Sequence, residues 1–161
     1  MSYAFPTEER GLGNYILDAL GAEEEELIAT YDLGTFPMRV QSLNRTLIDK
    51  VFAVCDYYMQ RKAQRNARHL YDIYKLTEHV EIDDDFLKLV KEVRAHRIDM
   101  GSEIAPAAPL DVDILELVRK VCDEDFYKED YRETTLKLIS DSLEYEMLKK
   151  HYRELVEKVF E

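Results

Sequence analysis

Gln60-Arg61-Lys62-Ala63-Gln64-Arg65-Asn66-Ala67-Arg68-His69-Leu70-Tyr71-Asp72-Ile73-Tyr74-Lys75 is the stretch on which the fold turns. Upstream of it, Leu47, Ile48, Val51, Val54, Cys55 and Met59 recur at helical spacing; within and beyond it, Leu70, Ile73, Tyr74 and Leu76 do the same. Two amphipathic helices joined by a short polar segment predict an antiparallel helix hairpin. The joining segment is unusual in charge. Arg61, Lys62, Arg65 and Arg68 stand together with no acid between Asp56 and Asp72, although the chain carries a formal net charge of −12. An acidic protein that gathers cations into one connection points to an anionic ligand there, and phosphate is the commonest. Lys50, among Ile48, Val51 and Phe52, is a second cation to set beside them.

The hairpin makes a geometric prediction. Lys50 and Asp72 are 22 residues apart with their midpoint at residue 61, so antiparallel pairing brings them within about one helical turn of each other. Arg68 and Asp72 also form an i, i+4 pair. An exposed ion-pair network, contributing about 0.3–0.5 kcal/mol per pair, explains that spacing equally well. What favours a site is the apolar flank of Lys50, because desolvation strengthens any charge it faces.

Outward from the hairpin, the rest reads as helices with one short strand. Pro6-Thr7-Glu8-Glu9 is expected to open a helix continued by Leu12, Tyr15, Ile16, Ala19 and Leu20 and stopped at Gly21, with Glu23–Glu26 as a solvated face. Phe36–Leu43 alternates apolar and polar and predicts a strand that Pro37 confines to an edge. Such a strand requires a partner, expected from residues 27–33 or from outside the chain. Asn44 is expected to cap the first hairpin helix. Asp83-Asp84-Asp85 opens a helix striped with Phe86, Leu87, Val90 and Val93, and residues 99–110 form a Pro/Ala loop. Helices then follow from Asp111 to Cys122, over 125–139 and over 144–160. The fold class is mainly α, α+β at most: a bundle of about six helices with one or two short N-terminal strands, divided into residues 1–43 and 44–161.

Composition excludes several functions. No apolar run approaches the roughly 18 residues of a membrane span, and the N-terminus lacks the basic and apolar parts of a secretion signal. Cys55 and Cys122 fall on apolar helix positions and read as buried thiols of a reducing, cytoplasmic setting. A pI near 4.8 argues against non-specific duplex DNA binding, so any nucleic-acid contact is local. Gly11-Leu12-Gly13 lacks the third glycine of a dinucleotide loop, and His69, His79, His96 and His151 show no metal-ligand spacing. Tyrosines at helical spacing read as core; Tyr71 and Tyr74 alone stand near enough to the basic turn to test for nucleotide contact.

Arg45-Thr46-Leu47-Ile48-Asp49-Lys50-Val51 followed by Arg68-His69-Leu70-Tyr71-Asp72-Ile73 resembles the abortive-infection AbiEii/AbiGii family of nucleotidyltransferase toxins. That family shows an Arg-Thr-Leu-x-Glu-Lys helix and, some twenty residues on, an Arg-[His/Asp]-x-Tyr-Asp-Leu helix. Pro6–Arg10, the strand running into Arg45, and the late Phe126-Tyr127-Lys128-Glu129-Asp130-Tyr131 fall in the family's order, so the resemblance spans nearly the whole chain. Position 49 departs from it, with Asp for Glu. The resemblance implies that Lys50 and Asp72 are catalytic and that Arg45, His69, Arg65 and Arg68 face nucleotide or phosphate. It also implies a bacterial toxin–antitoxin or phage-defence setting, with a nucleoside triphosphate and Mg²⁺ in the complete enzyme. The resemblance leaves the acceptor open, with RNA as the candidate, and implies an antitoxin or an upstream catalytic domain as partner.

Family members carry an N-terminal sheet domain with a Gly-Ser or Gly-Gly turn and an Asp-x-Asp metal pair, which this sequence does not show upstream of Lys50. The expectation is therefore a C-terminal helical portion that is inactive alone and contributes no metal ligand. Gly101-Ser102 with Asp111-Val112-Asp113 imitates the missing motif but follows the lysine motif and has no strand on either side; the two aspartates read as a helix start. Two further readings stand: a non-catalytic helical interaction or nucleotide-binding module, and a helical homodimer whose basic turn meets Glu23–Glu26 of another copy.

Overall fold

A computed structural model describes residues 5–13, 15–19, 24–140 and 143–160, which divide into two compact units, residues 1–42 and 43–161. In the first, strand β1 (Thr7–Leu12) pairs antiparallel with β2 (Phe36–Gln41), Thr7 opposite Gln41 and Leu12 opposite Phe36. Helix α1 (Tyr15–Ala19) and helix α2 (Glu25–Thr30) lie between them in sequence. The expected helix over residues 7–12 is thus a strand, and the expected strand over 27–33 is largely α2. Capping residues at Thr7–Glu9 favoured helix locally. Gly11 weakens a helix interior, and pairing along all six residues of β2 outweighs the caps. Pro37 sits opposite Gly11 in a two-stranded sheet, where its missing N–H faces an unpaired edge without cost. The expected stop at Gly21 lies outside the described residues.

The second unit is helical. Helix α3 (Leu43–Met59) buries Leu47, Ile48, Val51, Phe52, Val54, Cys55 and Tyr58, while Met59 at its end is exposed. It begins before Asn44, which lies inside it. Helix α4 (Arg68–Thr77) returns against it, burying Leu70 and Ile73. Helix α5 (Asp84–Asp99) starts where Asp83 accepts a hydrogen bond from the Phe86 N–H at 2.8 Å. It gives way to the loop through Gly101, whose φ of +86° is left-handed.

Helix α6 (Ile114–Asp123) is capped by Asp113, not Asp111, through the Glu116 N–H at 3.0 Å. The expected helix over 125–139 is shorter: α7 (Lys128–Glu133) ends before the β-branched pair Thr134-Thr135, and a single 3₁₀ turn follows at Thr135–Lys137. Helix α8 (Tyr145–Phe160) closes the bundle against α4 and α6. The protein is mainly α with a small antiparallel sheet, as its periodicity predicts.

Tyr127, Tyr131 and Tyr152 fill the core, and each hydroxyl reaches a backbone carbonyl: Val54 at 2.7 Å, Leu143 at 2.6 Å and Val51 at 3.1 Å. Burial pushes the Cys55 thiol up to about 12 and the Cys122 thiol up to about 11, so both are inert packing groups. Among the described residues no helix is long and apolar enough to cross a membrane.

Candidate functional site

The α3–α4 hairpin brings Lys50 and Asp72 together, with Nζ 2.8 Å from Oδ2. His69, one turn before Asp72, completes the group, its Nδ1 lying 3.2 Å from Lys50 Nζ and 3.6 Å from Asp72 Oδ2. An ammonium group only donates, so Nδ1 accepts from Lys50 and the imidazole proton rests on Nε2. The His69 ring stacks on Tyr57 of α3, centroids 5.6 Å apart and 6° from parallel, which fixes its orientation. His69 is buried, whereas the Lys50 and Asp72 side chains retain 29% and 34% of their exposure, so their charges meet solvent from within an apolar surround.

Burial works to raise the Asp72 carboxyl, but the neighbouring His69, the Lys50 hydrogen bond and the Lys50 charge outweigh it and hold it below its ordinary value. At 2.8 Å Lys50 is the hydrogen-bond donor proper; the His69 ring nitrogen stands 3.6 Å from the same carboxylate oxygen. A depressed carboxyl contributes stability above its unfolded pKa, near 3.9, and loses it as pH falls through the folded value. Asp72→Asn is therefore expected to be less stable than the parent by a constant amount from neutrality down to about pH 4. Below that the two urea-unfolding curves should converge; a difference that persists in strong acid would refute the assignment.

Behind this group runs a second ionic chain. Asp49 accepts from Arg45 Nε at 2.9 Å and from Arg97 at 3.1 Å, and Arg97 reaches on to buried Asp56. Arg45 is itself buried and supports α3 through Asp49. Arg65 and Arg68 are exposed, Arg65 on the turn and Arg68 at the start of α4. The expected Arg68–Asp72 pair does not form; Asp72 is taken by Lys50 and His69. Arg61 is instead engaged by Glu124 at 3.0 Å and lies over the Tyr58 ring. Tyr74 packs edge-on against His151, and Tyr71 is half-buried.

Asp130, Asp56 and Tyr57 escaped sequence reasoning. Asp56 carries a signal, a carboxylate beside buried Cys55 in an apolar stripe; Asp130 carries none of its own within Phe126–Tyr131. Asp111 and Asp113 belong to the loop and the α6 cap. Among the described residues no group of three or more His, Cys, Asp or Glu side chains is placed to hold a metal ion, and Asp72 and Asp49 are already occupied by cations. The group is an ion pair beside an imidazole, not the set of free oxygen ligands that Mg²⁺ takes. A cavity of about 510 Å³ lies elsewhere, lined by Tyr131, Arg132, Leu143 and Tyr145 among others, and shares no residue with this group.

The family description "Nucleotidyl transferase AbiEii toxin, Type IV TA system" matches residues 2–161. The chain belongs to the AbiEii toxin family. Its two helix motifs thus lie in a nucleotidyl transferase toxin, and the type IV toxin–antitoxin setting implies an antitoxin as counterpart. No curated protein and no solved structure matches the chain.

Proposed function

We propose that this AbiEii chain supplies the phosphate-facing helices of a nucleotidyl transfer site, and that the Lys50–His69–Asp72 convergence carries that role. Lys50 neutralises charge on the nucleoside triphosphate as the leaving phosphates develop it. Asp72 and His69 hold the ammonium in place, Asp72 by its 2.8 Å ion pair and His69 by accepting at Nδ1. Arg65 and Arg68, exposed beside the hairpin turn, bind phosphate oxygens of the nucleotide or of an RNA acceptor. Buried Arg45 acts through Asp49. In this reading the Mg²⁺ carboxylates come from polypeptide other than the described residues, and the 161 residues by themselves incorporate labelled nucleotide only at background.

The alternative, a helical interaction module without a phosphate site, predicts no nucleotide binding. Titration with a nucleoside triphosphate separates the two. Binding should weaken steeply with salt and fall about 10- to 100-fold in Arg68→Ala, the loss of a charge-assisted contact. A parent protein that fails to bind, or an Arg68→Ala protein that binds as the parent does, would overturn the assignment.

A further inference from the structure

Resting on that reading, we propose that Asp130 is a positioning residue for phosphate recognition: from α7 it locks the backbone that presents Arg65. The basic turn contains two arginines in the left-handed region, Arg61 with φ 56° and Arg65 with φ 64°. L-residues with a Cβ adopt that conformation at a cost, which glycine or asparagine largely avoids. Arg61 has a local reason to be arginine, because its guanidinium pairs with Glu124 and lies 4.8 Å from the Tyr58 centroid. Arg65 has none. Its side chain is exposed and has no partner among the described residues. A strained backbone carrying an unpaired cation is the signature of a group kept for an external ligand.

The strain is held by one carboxylate. Asp130, 9% exposed, accepts from the Arg65 N–H at 2.8 Å through Oδ1 and from the Ala67 N–H at 3.0 Å through Oδ2. The Thr134 hydroxyl donates to Oδ1 at 3.1 Å and orients it. Ala67 is fully buried and immediately precedes Arg68, so the same carboxylate sets both the Arg65 turn and the start of α4. On the same segment, Tyr127 donates to the Val54 carbonyl at 2.7 Å, which ties it to α3. The late Phe126–Tyr131 stretch is therefore the brace of the α3–α4 hairpin. The ligand chemistry is a phosphate oxygen, from a single-stranded RNA backbone or a triphosphate.

The test uses the whole chain, a labelled single-stranded RNA oligonucleotide and, separately, a nucleoside triphosphate, each titrated across a salt series. Arg65→Gly should melt a few degrees higher, since glycine relieves the turn, yet bind several-fold more weakly. For RNA its salt slope should be shallower by about 0.7, one phosphate contact on a single strand. Asp130→Asn keeps one acceptor oxygen and opposes a donor to the other N–H; it should melt lower and show the same shallower slope. In an Arg65→Gly background, Asp130→Asn should change the slope no further. Thr134→Val, a milder lesion, should move the slope the same way should Asp130→Asn fail to fold. Loss confined to RNA assigns Arg65 to the acceptor, and loss confined to the triphosphate assigns it to the nucleotide. Parental affinity and salt slope with both ligands, in Asp130→Asn or in Arg65→Gly, overturn the inference while leaving the Lys50 reading intact. A parent that binds neither ligand overturns the functional reading instead.

Discussion

Replacing Lys50 with methionine is expected to lower nucleotidyl transfer by the active enzyme on the order of 10²- to 10³-fold, the usual cost of losing one preorganised charge contact in a transition state. Methionine keeps the length of the stem and removes only the charge. The stability effect should be small by comparison. Asp72 would lose its partner at 2.8 Å but is about one-third exposed, so water replaces the ammonium, and partly exposed pairs contribute about 1 kcal/mol or less. That separation of activity from stability distinguishes a catalytic lysine from a structural ion pair. Lys50→Arg should not rescue, because a planar fork cannot occupy the point between His69 Nδ1 and Asp72 Oδ2 that an ammonium fills. Asp72→Asn should lose less than Lys50→Met, since the amide oxygen still orients the ammonium. Single-turnover transfer by each variant, beside urea unfolding, decides the matter. A Lys50→Met enzyme within a few-fold of the parent would reduce the cluster to a surface ion pair.

The helix hairpin was legible because its signal is local: the apolar stripes of α3 and α4 keep their period on both sides of a short polar turn. The meeting of Lys50 and Asp72 followed from arithmetic on that turn, and the structure places them 2.8 Å apart. What the residues hid was non-local. Residues 7–12 carry good helix-capping chemistry, and only the distant Phe36–Gln41 strand decides that they extend. Arg68 and Asp72 have ideal helical spacing, yet a lysine from another helix takes the carboxylate first. Asp130 bonds to backbone 63 and 65 residues away, and nothing in its own neighbourhood reports that. Local periodicity reveals elements and their pairing; competition for one carboxylate appears only once the helices are packed.

Asp56 marks the place where that competition matters most for stability. Its Oδ2 meets the Arg97 guanidinium, and its Oδ1 accepts from the buried Ala107 N–H at 2.8 Å. Arg97 also reaches Asp49 and lies over the Phe52 ring, 5.3 Å from its centroid. Asp56→Ala leaves a guanidinium whose side chain is 12% exposed with Asp49 as its remaining carboxylate, and leaves the Ala107 N–H without its acceptor. Breaking one partner of a buried pair costs about 3–5 kcal/mol, a large share of the stability of a domain this size. Urea unfolding should show that loss as a lower midpoint with an unchanged slope.

The pair itself stabilises far less than its rupture costs. Burial pushes the Asp56 carboxyl above its ordinary value, and the Ala107 N–H and Arg97 only partly offset it. Joint replacement by Asp56→Leu and Arg97→Met should therefore recover much of the loss, the orphaned Ala107 N–H excepted. The sign of the pH dependence follows. A raised carboxyl contributes most below its unfolded pKa, and its share falls as pH rises through the folded value, opposite to Asp72. Asp56→Asn keeps an acceptor for Ala107 and removes the titrating group, so it should cost less than alanine and abolish that decline. An Asp56→Ala protein within 1 kcal/mol of the parent would mean that water reaches Arg97 in solution, and the ionic chain behind Lys50 would then lose its anchor.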